Sequence, residues 1–156
     1  MLIHTERIFA DHYQFYIHDS QYDHINDPNL DWEIDQGYEN NYRASEKGIY
    51  VGTVAHLNDH RVRIFINEIP KKDKYERVFE HSINIASGKI QIDSPSSIGM
   101  DPTIIEIAPG VYTIFVCGNS IGKDLFSYGD TYDEDMDDED FLKLELFEYY
   151  DIFLKR

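Results

Sequence analysis

Short runs of alternating apolar and polar residues follow one another along this chain, separated by turn residues. Ile49, Val51 and Thr53 alternate with Tyr50, Gly52 and Val54. After Asn58-Asp59, Arg61-Val62-Arg63-Ile64-Phe65-Ile66 opens by alternating charge with apolar side chains. The two runs predict a hairpin with one half-wet face and its tip at Leu57-Asn58-Asp59. Val78 to Ile85 is a further strand, with Phe79, Ile83 and Ile85 apolar, and Ser87-Gly88 turns it into Lys89-Ile90-Gln91-Ile92-Asp93. Alternation there is strict. Ser94-Pro95-Ser96-Ser97 and Asp101-Pro102 mark a loop, followed by Ile104-Ile105-Glu106-Ile107 and the turn Pro109-Gly110. Val111 to Cys117 is apolar on both faces, which predicts a central strand.

Two regions are open. Asp31 to Glu46 suits a short helix or an irregular loop. In Phe141 to Arg156, Leu142, Leu144 and Leu146 alternate with Lys143 and Glu145 as in a strand, whereas Glu148 to Lys155 also suits a helix. The repeated strand-turn-strand order predicts a mainly β chain, an antiparallel β-sandwich with little helix. The expected organisation is one domain over 1–156 with an acidic loop at about 130–140, and neither a repeat nor a linker is visible.

Charge changes the picture most. Thirty Asp and Glu face fourteen Lys and Arg, a formal net charge of −16. Such a surface repels nucleic-acid phosphates and anionic lipid, so neither direct nucleic-acid binding nor membrane binding is expected. It attracts basic partners and speeds their association. Solubility is the plainer meaning of the same charge. The acids form two blocks. Between Arg7 and Arg43 there is no Lys or Arg, but there are Asp11, Asp19, Asp23, Asp27, Asp31, Glu33, Asp35 and Glu39. The denser block is Asp130, Asp133, Glu134, Asp135, Asp137, Asp138, Glu139 and Asp140. Arg61, Arg63, Lys71, Lys72, Lys74, Arg77 and Lys89 make the middle near-neutral. One cysteine, Cys117, excludes an internal disulfide and suggests a reducing compartment. Met1 to Ala10 lacks the pattern of a signal peptide, and no apolar run reaches the ~18 residues of a membrane helix. A cytoplasmic location is expected.

Candidate chemistry is sparse. An EF-hand loop started at Asp133 has acids at its first, third and fifth positions, but Asp138 stands at the sixth, where Gly is needed, and Leu144 at the twelfth, where Glu is needed. His56 and His60 have a zinc spacing that requires a helix, whereas a hairpin tip is expected there. His12, His18 and His24 adjoin Asp11, Asp19 and Asp23, but sequence neighbours on a strand point to opposite faces, so these histidines are read as surface residues. Cys117, inside Ile114-Phe115-Val116-Cys117, reads as a buried small hydrophobe. Trp32 reads as core and Tyr22 as surface. No nucleophile elbow, phosphate-binding Gly loop or Cys pair is present. No enzyme activity, metal or cofactor is expected.

Tyr13-Gln14-Phe15-Tyr16-Ile17, Asp31-Trp32, Gln36-Gly37-Tyr38, Tyr42-Arg43 and Lys47-Gly48-Ile49-Tyr50-Val51-Gly52-Thr53 occur in that order, followed by a hairpin. Ile90-Gln91-Ile92, Ile104-Ile105-Glu106-Ile107 and Pro109-Gly110-Val111-Tyr112 complete the series. The order resembles the competence protein J family over roughly residues 10 to 118. That resemblance implies a small bacterial β protein that inhibits a nuclease. It also implies turns at Gly37 and Gly48, Trp32 in the core and a hairpin closed by Pro109-Gly110. No catalytic residue comes with it. The segment from Asp130 onward departs from the family pattern, which leaves the partner open.

The function expected is an inhibitor or immunity protein that neutralises a basic nuclease or nuclease toxin domain through an acidic surface. The expected partner-binding residues are Asp130, Asp133, Glu134, Asp135, Asp137, Asp138, Glu139 and Asp140, together with Tyr22, Asp23 and Asp27. The alternative is a ligand- or ion-binding β-sandwich without a nuclease partner. Oligomeric state is not legible.

Overall fold

The computed structural model describes residues 1–10, 14–26, 42–53, 58–95, 102–120 and 148–156. They form ten strands: β1 (Leu2–Ala10), β2 (Gln14–Asp19), β3 (Tyr42–Ala44), β4 (Gly48–Gly52), β5 (Asn58–Ile66), β6 (Arg77–Ile85), β7 (Lys89–Asp93), β8 (Thr103–Glu106), β9 (Gly110–Ser120) and β10 (Glu148–Lys155). Helical structure among the described residues is limited to short 3-10 turns such as His24–Asn26 and Lys72–Lys74. The strands divide into two five-stranded sheets, β1-β5-β10-β9-β6 (sheet I) and β3-β4-β2-β7-β8 (sheet II). The expected mainly β sandwich is the fold.

Alternation places the core. Phe15, Ile17, Ile49, Val51, Ile90 and Ile92 of sheet II meet Val62, Ile64, Ile83, Ile85, Ile114, Val116, Ile152 and Leu154 of sheet I in one buried cluster. Burying a side chain of this size contributes roughly 1.5–3 kcal/mol against leaving it in water. β9 lies inside sheet I between β10 and β6, as its apolar run predicts. β2 is interior to sheet II and is buried at all six positions, so its outer face is covered as well as its core face.

Pairing differs from sequence order. β4 joins β2 and β3, whereas β5 joins β1 and β10 in the other sheet. The hairpin expected from 49–66 is therefore a crossover between sheets, and Asn58-Asp59 lies within β5 and not at a tip. Pro109-Gly110 likewise passes the chain from β8 in sheet II to β9 in sheet I and does not close a hairpin. Gly110 takes φ 146°, open to glycine but not to other L residues. Gly88, at φ 74°, turns β6 toward β7, and these too lie in different sheets. Crossovers fit the alternation, because a bend between sheets keeps each strand's apolar face on the shared core. Of the open regions, Tyr42–Ala44 is an edge strand beside β4 and Glu148–Lys155 is a strand. β10 inserts between β5 and β9, parallel to β5 and antiparallel to β9.

Candidate functional site

The outer face of sheet II carries a compact group of ring and carboxylate side chains. Register sets Tyr50, Tyr16 and Asp93 in one row across β4, β2 and β7, with Gly48, His18 and Gln91 in the row beside it. Past β2, hydrogen bonds from Tyr22 N to Asp19 O and from His24 N to Tyr22 O fold the chain back over this face. His24 then stacks on His18 with ring centroids 4.0 Å apart. Tyr16 and Tyr50 pack at 4.0 Å beside them.

His18, His24 and Asp93 are 2%, 5% and 3% exposed. His18 Nδ1 lies 2.8 Å from the Asp19 carbonyl oxygen, and Nε2 lies 3.3 Å from Asp93 Oδ2. His24 Nδ1 lies 2.8 Å from the Tyr50 hydroxyl oxygen, and Nε2 lies 3.9 Å from Asp93 Oδ1. Gln91 Nε2 donates to Asp93 Oδ2 at 2.9 Å. Burial lowers the His24 pKa to about 4, which keeps this ring neutral near pH 7. The set offers two imidazole nitrogens and a carboxylate oxygen within 4.8 Å of one another, a donor set able to hold a metal ion.

The surface assignment of His18 and His24 is corrected here. Strand alternation does put His18 opposite Ile17, but the outer face of sheet II is itself covered by the returning chain. Tyr22, also read as surface, is half-buried against Tyr16 and Tyr50, and its hydroxyl accepts from Ser45 Oγ at 3.3 Å. Asp23 is exposed and accepts from Asn26 Nδ2 at 2.7 Å. Ile25, which sequence reasoning passed over, is 59% exposed beside it. Asp27, Trp32, His12, His56 and the whole block Asp130 to Asp140 lie outside the described residues. Asp93 carried no signal in sequence, because one aspartate ending an alternating strand is ordinary.

Two further polar groups link strands within sheet I. Glu148 accepts from the Tyr150 hydroxyl, and Arg77 NH2 lies 3.8 Å from the same carboxylate. His60 is fully buried on β5, with Nδ1 3.2 Å from the Glu148 carbonyl oxygen. On the outer face of sheet I, Arg63 grips Asp151 with two hydrogen bonds of 2.7 and 2.6 Å, and the Tyr75 hydroxyl donates to Asp151 at 2.7 Å. Cys117 is buried on that face, as expected. Burial, followed by the Asp151 charge, pushes its thiol up to about 12, far from the thiolate a nucleophile needs.

No family model matches this chain, and no curated protein matches it in sequence. Solved structures do match in fold. One is the crystal structure of ComJ from Bacillus subtilis, an inhibitor of the DNA-degrading activity of NucA. It aligns at TM-score 0.61 and 15% identity over 99% of this chain and 96% of that one. A second, described as crocagin biosynthetic gene J, aligns at TM-score 0.59 and 10% identity over 97% and 96%. The chain therefore has a ComJ-like fold, and the resemblance read from the sequence holds at that level. Among the described residues no helix is long and apolar enough to cross a membrane.

Proposed function

We propose that this protein is an inhibitor: a single-domain, non-enzymatic cytoplasmic protein that binds and neutralises a basic nuclease. The observation that carries the reading is the end-to-end likeness in fold to a protein described as a nuclease inhibitor. The formal charge of −16 supports it, since a nuclease cleft is built to receive phosphate and is electropositive. An acidic protein seated over such a cleft competes with nucleic acid for the same charges.

The contact surface in this reading combines the acid block Asp130 to Asp140 and Asp27 with the turn that carries Tyr22 and Asp23. Ile25 is the apolar centre of that turn, and Asp23 belongs to its charged rim. Affinity in such interfaces comes from a few apolar or aromatic anchors, while rim charge governs encounter and salt dependence. The purified protein should inhibit a basic nuclease encoded beside it in its genome, and titration should saturate at a fixed stoichiometry. Association should slow as salt is raised. If the neighbouring nuclease neither binds nor loses activity at any ratio, the inhibitor reading is wrong.

A further inference from the structure

We propose that His18, His24 and Asp93 form a transition-metal site of the zinc type, a binding function that does not depend on the nuclease reading. The case starts from protons. The Asp19 carbonyl oxygen can only accept, so His18 Nδ1, 2.8 Å away, carries the hydrogen between them. In the neutral ring Nε2 is then a lone pair, and it faces Asp93 Oδ2 at 3.3 Å. His24 has the partners for the same tautomer. Tyr50 can donate its phenolic hydrogen to the His24 carbonyl oxygen at 3.3 Å, which leaves the phenol oxygen able to accept from Nδ1 at 2.8 Å. In that tautomer His24 Nε2 is also a lone pair, 3.9 Å from Asp93 Oδ1. That carboxylate oxygen is buried and receives no hydrogen bond.

Donor atoms of three residues therefore converge in a buried place where Asp93 Oδ1 receives no hydrogen bond. Acceptors facing one another repel, and a buried carboxylate oxygen without a hydrogen bond is costly. A positive centre among them removes both penalties. One extra proton on His18 would serve the 3.3 Å contact to Oδ2 and leave Asp93 Oδ1 without a hydrogen bond. A metal ion serves all three. In a tetrahedral site with zinc–nitrogen bonds of ~2.0–2.1 Å and zinc–oxygen bonds of ~2.0–2.2 Å, ligand atoms stand about 3.3–3.5 Å apart. The donor atoms here lie within 4.8 Å of one another, so the three side chains would close in on a bound ion.

The outer partners fit the same purpose. Metal-binding imidazoles hold their other nitrogen on a carbonyl or another acceptor, which fixes ring and tautomer. Asp19 O and the Tyr50 hydroxyl do this here, and Gln91 orients the carboxylate. Two imidazoles favour zinc and its neighbours in the transition series over calcium or magnesium. Three protein ligands leave one position for water or for a donor from a bound partner. Because the ligands come from β2, β7 and the turn after β2, the ion fastens that turn, with Tyr22, Asp23 and Ile25, onto sheet II.

The test uses untagged full-length protein freed of metal by chelator and returned to buffer containing excess magnesium. Isothermal titration with zinc should show one equivalent bound, and cobalt should give the visible absorption of a four-coordinate site. Asp93→Asn and His24→Asn should lower zinc affinity by more than the ~10–100-fold that loss of an outer partner costs, while His4→Gln, at the surface, should bind like wild type. Should the site variants fail to fold, imidazole nitrogen NMR of the wild type decides. Zinc should shift the Nε2 signals of both His18 and His24. Absence of stoichiometric binding, binding unchanged in both site variants, or a doubly protonated His18 unaffected by zinc would each overturn the proposal.

Discussion

Asp19 is buried, and burial by itself would raise its pKa. The backbone N–H groups of Ser87 and Gln21, at 2.8 and 2.9 Å on its two oxygens, outweigh that cost and hold the pKa below its ordinary 3.8. A carboxyl whose folded pKa is depressed adds stability that is present above the unfolded value. That stability is lost as pH falls through the folded value. Asp19→Asn would set an amide NH2 against one of the two donors, so it should cost about 1–3 kcal/mol at pH 7 by urea denaturation. The gap between wild type and variant should narrow below pH 3.8. Cys117, with its thiol near 12, should react with alkylating reagents at pH 8 only as fast as the protein opens, and quickly once denatured. Its burial was legible in the apolar run around it. The burial of His18 was not, because alternation says which face a residue takes and not whether that face is covered.

At the scale of the element, β10 shows where sequence reading stops. Its own residues suited helix or strand equally. Its place between β5 and β9 settles the matter, because that slot already offers hydrogen-bonding edges on both sides. Tyr150 of β10 is fully buried, and Gly118 on β9 makes room for it. A Cβ at Gly118 would fall 2.8 Å from Tyr150 Cε1 and 3.0 Å from an Arg77 guanidinium nitrogen. Gly118→Ala should therefore destabilise the protein by about 1–3 kcal/mol, read as a lower denaturation midpoint at unchanged slope. The turns at Gly88 and Pro109-Gly110 were found from sequence, but their role as crossovers was not. A glycine turn looks the same whether the next strand pairs in its own sheet or begins the other.

For the molecule as a whole, charge is the property a partner meets first. Replacing Asp133, Asp135, Asp137 and Asp138 by Asn removes four charges and takes the formal charge from −16 to −12. On the inhibitor reading this should slow association with a basic nuclease more than it speeds dissociation, because charge acting over a Debye length of ~8 Å steers approach. Stopped-flow or surface-binding kinetics at low and high salt would check it. An unchanged association rate at low salt would shift the interface to the stretch from Tyr22 to Glu39.

The sequence by itself determined the core strands between residues 49 and 117, their inward faces, the central position of Val111 to Cys117 and the acidic balance. These are local quantities: alternation of period two fixes which side chains share a face, and charge is a sum over residues. The tertiary structure decided which strands pair, that β10 runs parallel to β5, and that His18, His24 and Asp93 meet. Those depend on contacts between residues far apart in the chain, 75 positions in the case of His18 and Asp93. Backbone hydrogen bonds are the same for every residue type except proline, so no side-chain pattern records which strand a strand pairs with.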